Sequence, residues 1–360
     1  MQKDPVSDRF QLRGRGADSN PSIRFDSTHR VGFDDGWDRE EELPVLRTHV
    51  REEAAKSIIS TNRSPDLSFD QSINPYRGCE HGCIYCFARP SHAFLGLSPG
   101  LDFETQLTAK PNAAALLEKA LRKSGYIPKT IAIGTNTDPY QPIEKQRGIM
   151  RDVLQVLCAH NHPTAIVTKG TLIARDIDLL SQMAAFELLR VGVSVTTLDP
   201  VLSRKMEPRV PSPAARLRLV RQLTDAGIPV RVMISPVIPA LTDHEVEAIL
   251  QAAKDAGAVA ASSIILRLPL EVAPLFKDWL QAHYPDRASR IMNRVRELHG
   301  GKDYDPEFGT RMSGQGIWAD LQRQRFQRAA AKLGLDRSLP PLRTDLFAVP
   351  LQPGDQLSLF

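Results

Sequence analysis

Between about residues 67 and 270, short apolar runs alternate with amphipathic stretches of helix length, and this restricts the chain to one class of fold. Thr130-Ile-Ala-Ile-Gly134, Thr164-Ala-Ile-Val-Thr-Lys169, Val191-Gly-Val-Ser-Val-Thr196, Val230-Arg-Val-Met-Ile234 and Ser263-Ile-Ile-Leu-Arg-Leu268 read as buried strands, and Leu67 to Ile73 alternates as the first of the series. Helices are expected over Ala113 to Lys123, Ile149 to His160, Asp176 to Phe186, Ala214 to Ala226 and Asp243 to Ala256. Gly227 and Gly257 stand just past two of them, where a left-handed cap belongs. Six strand-helix units in strict alternation imply a parallel sheet wrapped by helices, an α/β fold of the partial (β/α)6 barrel kind. Such barrels carry their chemistry at the C-terminal ends of the strands.

The loop after the first strand is where the chain concentrates its thiols. Asn74-Pro-Tyr-Arg-Gly-Cys79-Glu-His-Gly-Cys83-Ile-Tyr-Cys86-Phe-Ala-Arg89 holds three of the four cysteines, spaced C-x3-C-x2-C. Structural zinc takes four protein ligands, usually in two separated pairs, and no second C-x-x-C or H-x3-H follows downstream. An iron-sulfur cluster held by Cys79, Cys83 and Cys86 fits the count of three and leaves one iron open to a further ligand. A zinc site completed by His81 or His92 is the competing reading of the same residues. Gly78 and Gly82 allow the tight backbone that presents three sulfurs to one side. Other strand ends are polar as well: Gly134-Thr-Asn136-Thr137-Asp138 after the second, Lys169 after the third, Ser194 on the fourth and Ser235 after the fifth. Their shared position suggests that most of them line one pocket.

C-x3-C-x2-C with Tyr85 before the last Cys resembles the signature of radical S-adenosylmethionine (SAM) enzymes. The flanking words Ile73-Asn-Pro-Tyr-Arg-Gly-Cys79 and Tyr85-Cys-Phe-Ala-Arg89 are similar to those of the spore photoproduct lyase-like branch, whose members are often labelled DNA repair photolyases. The resemblance implies a radical SAM barrel and a [4Fe-4S] cluster on Cys79, Cys83 and Cys86. It also implies SAM bound at the open iron, and one-electron cleavage of SAM to methionine and a 5′-deoxyadenosyl radical, fed by an electron donor. Lys169 is well placed at the barrel mouth to pair with the methionyl carboxylate, and by position in the family's pattern Asn136 and Thr137 receive the amino group. Ser194 and Ser235 touch the carboxylate or ribose, and Tyr85 approaches adenine. The family's usual Gly-Gly-Glu on the second strand is absent here. So is the hydrogen-donating Cys that spore photoproduct lyases place at the end of that strand: Ile131 to Tyr140 contains none. The fourth cysteine, Cys158, falls on the apolar face of the following helix with Val153, Leu154 and Leu157 and reads as a core thiol.

With 360 residues, 42% hydrophobic and 24% charged, the chain supports one large core with appendages. The expected division is an N-terminal arm over 1–60, the barrel over 61–275, a helical extension over 276–345 and a tail over 346–360. The arm reads either as a poorly structured segment or as a tail wrapped over the barrel, with Ser22-Ile-Arg-Phe25 as anchors. Arg323, Arg325 and Arg328 on an expected helix from Ile317 to Leu333 suit either a phosphate backbone or a wet face. A net charge of +4 permits an acidic partner without demanding one. No apolar run approaches the ~18 residues of a membrane helix, and the N-terminus lacks a signal-peptide core. Thiols reserved for a cluster suit a reducing compartment, so a cytoplasmic protein without a membrane partner is expected.

The last five residues, Gln356-Leu357-Ser-Leu359-Phe360, resemble the bacterial sliding-clamp binding peptide Gln-Leu-x-Leu-Phe. By that resemblance Gln356, Leu357, Leu359 and Phe360 bind the clamp, and Pro353-Gly354 before them leaves an extended peptide free to dock. The expectation is therefore a radical SAM enzyme acting on DNA in a lyase-like repair reaction. A radical SAM enzyme modifying RNA or protein, and a non-catalytic metal-binding DNA adaptor, are the alternatives.

Overall fold

The computed structural model describes residues 14–26 and 46–351. The clamp-like residues Gln356, Leu357, Leu359 and Phe360 lie outside them. Ten strands occur among the described residues: β1 (His49–Glu52), β2 (Ile59–Thr61), β3 (Gln71–Ile73), β4 (Tyr76–Arg77), β5 (Gln106–Ala109), β6 (Ile131–Ile133), β7 (Thr164–Thr168), β8 (Leu189–Ser194), β9 (Val230–Val237) and β10 (Ala260–Ile265). Seven form one sheet in the order β10-β9-β8-β7-β6-β3-β2. From β3 to β10 every pairing in this sheet is parallel, and β2 adds antiparallel to β3 as an edge. The two edge strands do not pair with each other, so the sheet curves without closing.

The crossovers are helices Ala113–Leu121, Ile149–Ala159, Ile177–Ala185, Pro213–Asp225 and Val246–Asp255, each within a few residues of its expected span. Gly227 and Gly257 adopt φ of +76° and +94° past their helices, the left-handed cap the sequence suggests. Between sheet and helices lies a core in which Ile131, Ile166, Val191, Val232, Leu154 and Leu223 are at most 1% exposed. Burial of each such side chain stabilises the fold by about 1.5–3 kcal/mol.

Two strand boundaries differ from expectation. The last strand begins at Ala260 rather than Ser263, because its Ala-Ala-Ser-Ser start is paired to β9 by backbone, a register that apolar patterning does not show. The first is confined to Gln71–Ile73. Leu67 and Phe69 leave the ladder and turn into the barrel cavity.

The described N-terminal residues lie against the cysteine loop. β1 pairs parallel to β5, and β4 pairs antiparallel on the other side of β5. Gly16 N and Ala17 N donate to the Glu104 carboxylate at 2.9 and 3.0 Å, while Arg15 Nη1 donates to Glu104 O at 2.9 Å. A Cβ on Gly16 would stand 1.8 Å from Gly82 O, so only glycine permits this approach. Arg24, in the expected anchor word, pairs with Glu271 at 2.9 Å at the surface.

The C-terminal part contains helices Val272–His283, Pro285–Leu298 and Ile317–Leu333 and then runs irregularly. Arg325 is held bidentately by Glu247 at 2.8 and 2.7 Å and Arg323 faces Asp320 at 3.1 Å, so carboxylates of the chain itself occupy both cations. Cys158 is half-buried against the main core, and burial, then Asp178, raise its thiol pKa. No helix among the described residues is long and apolar enough to cross a membrane.

The irregular stretch ends on a histidine that makes stability sensitive to pH. His162 is 0% exposed, with Nε2 2.8 Å from the Tyr126 hydroxyl and Phe347 packed edge-on. Burial pushes its pKa down to about 4, against a contact to Pro163 O that raises it. The unfolded chain takes up this proton near pH 6.5 and the folded chain does not. Stability therefore falls as pH drops from about 6.5 to 4, by up to roughly 3 kcal/mol for this group. In His162→Gln the dependence of Tm on pH over that window should be shallower by one proton. Identical slopes would show that His162 contributes nothing to acid sensitivity.

Candidate metal centre

The cysteine loop leaves β4 and is tied down along its length. Cys79 N donates to Phe103 O at 2.9 Å and Ile84 N to Met206 O at 3.0 Å. The Gln141 side chain accepts from Glu80 N at 2.8 Å and donates to Gly78 O at 3.2 Å. Gly78 and Gly82 sit at φ +74° and +66°, and a Cβ on Gly78 would meet Leu107 Cδ2 at 2.5 Å. Both positions are closed to other residues by conformation and by contact, as the sequence suggests.

Arg89 is the fastening point. Fully buried, it donates through Nε to Cys83 O at 2.9 Å, through Nη1 to Pro99 O and Gly100 O at 3.0 Å each, and through Nη2 to Gly82 O at 3.2 Å and to the buried Glu104 carboxylate. A planar guanidinium with five donors is the one side chain that can bridge two loops and a carboxylate at once.

Cys79 and Cys83 are buried, Cys86 is half-buried, and all three are free thiols. Burial raises the pKa of Cys79 and Cys83; Asp138 and the two other cysteines add to it at Cys79, and Glu207 adds at Cys83 against Lys169. A positive centre beside Cys79 and Cys83 would offset that burial and favour their thiolates. No three His, Cys, Asp or Glu side chains among the described residues are set to grip a single metal ion. Three free thiols in one tight loop are a donor set that a cluster with one open iron would fit, and His81 is already engaged at 3.3 Å by Asp138.

Lys169, Ser194 and Ser235 come together above the sheet. Lys169 Nζ donates to Ser194 Oγ at 3.1 Å, and that hydroxyl donates to Ser235 O at 3.1 Å. Ser235 Oγ is buried without a partner among the described residues. Lys169 lies 5.8 Å from the Tyr85 ring centroid and forms no ion pair with a carboxylate among the described residues. Its main-chain N–H donates to Asp138 at 2.7 Å. Burial would raise the Asp138 pKa, but His81, that N–H and the Thr168 hydroxyl hold it down at about 2.

The remaining expected residues have structural ties. The Thr137 hydroxyl donates to Tyr76 O at 3.0 Å and Asn136 N to Asn74 Oδ1 at 3.2 Å, so both brace the turn before the cysteines. The Tyr85 hydroxyl donates to Glu207 and stands 3.2 Å from Thr196 Oγ1. Glu207 is in turn paired with Arg216 at 2.8 Å, both 0% exposed, and Arg216 Nη1 donates to Ser194 O at 2.9 Å. This buried pair fixes Tyr85 and Ser194 together. Sequence reasoning missed it, because Glu207 and Arg216 sit in ordinary charged contexts on either side of a proline-rich loop. Arg89 and Glu104 were missed too, although Arg89 closes the motif word itself.

A model of the radical SAM superfamily matches residues 73–253. An uncharacterized protein of Mycobacterium tuberculosis is 37% identical over 290 residues, covering 79% of this chain and 82% of its own length. One of Methanocaldococcus jannaschii is 28% identical, covering 67% of this chain and 86% of its own. Among solved structures, spore photoproduct lyase complexed with dinucleoside spore photoproduct superposes with a TM-score of 0.57 at 15% identity over 79% of each chain, a likeness of fold.

Proposed function

The chain belongs to the radical SAM superfamily, and from that premise we propose that it is an enzyme that cleaves SAM at a [4Fe-4S] cluster and acts on DNA. The observation that carries the reading is the meeting of Lys169, Ser194 and Ser235 at the mouth of the open barrel beside Cys83. A structural metal site has no use for an ammonium held only by a hydroxyl beside a hydroxyl that is buried without a partner among the described residues.

When bound, the cluster and SAM supply one-electron cleavage of the sulfonium bond. In this reading Cys79, Cys83 and Cys86 hold the cluster. Lys169 receives the methionyl carboxylate, aimed by Ser194, which is itself positioned by Arg216. Ser235 offers its open hydroxyl to the same ligand, and Tyr85, locked to Glu207, closes one wall toward adenine. Asn136 and Thr137 present the turn at which the amino group is received. Removing Lys169 should cost about 2–5 kcal/mol of SAM binding, so Lys169→Ala should raise the SAM Kd tens- to thousands-fold with iron content unchanged. Equal SAM affinity in a cluster-replete variant would remove this role.

DNA as substrate is supported by the fold shared with spore photoproduct lyase and by the clamp-like Gln356–Phe360 tail. The missing cysteine between Ile131 and Tyr140 argues for a reaction that differs from that enzyme's in its final hydrogen transfer. The test is anaerobic reconstitution followed by assay of 5′-deoxyadenosine from SAM, alone and with ultraviolet-irradiated DNA, RNA or protein lysate fractions. No 5′-deoxyadenosine from iron-replete protein would sink the enzymatic reading. Stimulation by RNA or protein but not DNA would favour the alternative substrates.

A further inference from the structure

The concave side of the sheet encloses a cavity of about 710 Å³, in the size range of small-ligand sites. Its walls include Phe69 and Phe326, and its rim reaches exposed Ser68, Arg323 and Gln327. Two arginines project into it. Arg190 on β8 and Arg231 on β9 are half-buried, and neither guanidinium forms an ion pair or hydrogen bond with another described residue. Arg231 stands opposite Gly192 in the ladder, and a Cβ on Gly192 would meet Met233 Sδ at 2.9 Å, so the missing side chain leaves the space open. Burial and the neighbouring Arg231 charge lower the pKa of Arg190. The inward Ser262 Oγ, across the ladder from Met233, is buried and unpartnered. Two like charges left facing each other inside a barrel are a cost to the empty protein, and an anion between them removes it.

Arg190 precedes Ser194 by four residues and Arg231 precedes Ser235 by four. At about 3.3 Å per residue the arginines lie roughly 13 Å along the strands from the Lys169–Ser194–Ser235 mouth. They face the same cavity from its opposite end, too far away to touch the methionyl group held at the mouth.

We propose that Arg190 and Arg231 form a phosphate-holding floor of the barrel, which anchors a backbone phosphate of the substrate while the aromatic walls Phe69 and Phe326 of the same cavity receive its base. This rests on the nucleic-acid reading above. A planar base suits apolar aromatic walls, and a guanidinium pair suits a phosphodiester in a way that surface lysines do not.

The experiment is calorimetry on the cluster-reconstituted full chain with three probes: thymidylyl-thymidine, its neutral methylphosphonate analogue and inorganic pyrophosphate. The charged dinucleotide should bind at least tenfold more tightly than the neutral one. In the Arg190→Gln/Arg231→Gln double variant, checked for folding by circular dichroism, the two should bind within about twofold of each other. Equal binding of both dinucleotides to the wild-type chain overturns the proposal, and that comparison needs no variant. A folded double variant that still discriminates overturns it as well, as does a wild-type chain that binds none of the probes. If pyrophosphate binds and the double variant loses it while neither dinucleotide binds, the phosphate floor stands and the nucleic-acid reading falls.

Discussion

Replacing Cys79, Cys83 or Cys86 by Ala is expected to abolish the iron-sulfur absorbance of anaerobically reconstituted protein, while Cys158→Ala retains it. In the proposed reading three thiols in an eight-residue loop would supply the protein's whole share of a cluster with one open iron, so losing any one would leave too few ligands. Cys158 packs against the core from a helix on the outer side of the sheet and has no part in the loop. Iron and sulfide analysis alongside the visible spectrum decides the matter. Full iron in any of the three variants, or stoichiometric zinc in their place, would refute the assignment.

Arg89→Met should be strongly destabilising while it leaves the cysteines intact. It removes donors to Gly82 O, Cys83 O, Pro99 O and Gly100 O and leaves the Glu104 carboxylate, at 0% exposure, with the Gly16 and Ala17 N–H groups but no cation. Breaking a buried pair by deleting one partner typically costs about 3–5 kcal/mol. For a chain of this size that corresponds to a fall in Tm of about 5 °C. Arg89→Lys should be rescued little, since an ammonium cannot serve five acceptors from one plane. Arg24→Ala, which breaks a solvent-exposed pair with Glu271, should cost less than about 1 kcal/mol. Calorimetric melting of cluster-free protein separates the fold effect from iron loss, and a wild-type Tm in Arg89→Lys would contradict the fastening role.

The parts of the site that were readable in the chain are those whose signals are local. C-x3-C-x2-C lies within eight residues, the turn glycines fall inside it, and Lys169, Ser194 and Ser235 could be placed because strand and helix periods count out where each strand ends. Asn136 N and the Thr137 hydroxyl turn back to brace Asn74 and Tyr76, which the spacing does not show. The start of β10 was hidden because an edge strand with a polar Ser262-Ser263 centre lacks the apolar contrast that marks buried ones.

By itself the sequence determined that this chain forms six parallel strand-helix units and opens the first of them into a three-thiol loop, because backbone periodicity and ligand spacing are written over a few neighbouring residues. Tertiary structure alone decided which charges meet. Arg89 finds Glu104, Arg216 finds Glu207, Gly16 lies on Gly82, and Arg190 and Arg231 line one cavity without a carboxylate among the described residues. The physical reason is that a buried charge is stabilised only by a partner within a few ångströms, and at most of these sites the partner, or its absence, is set by how elements far apart in the chain pack.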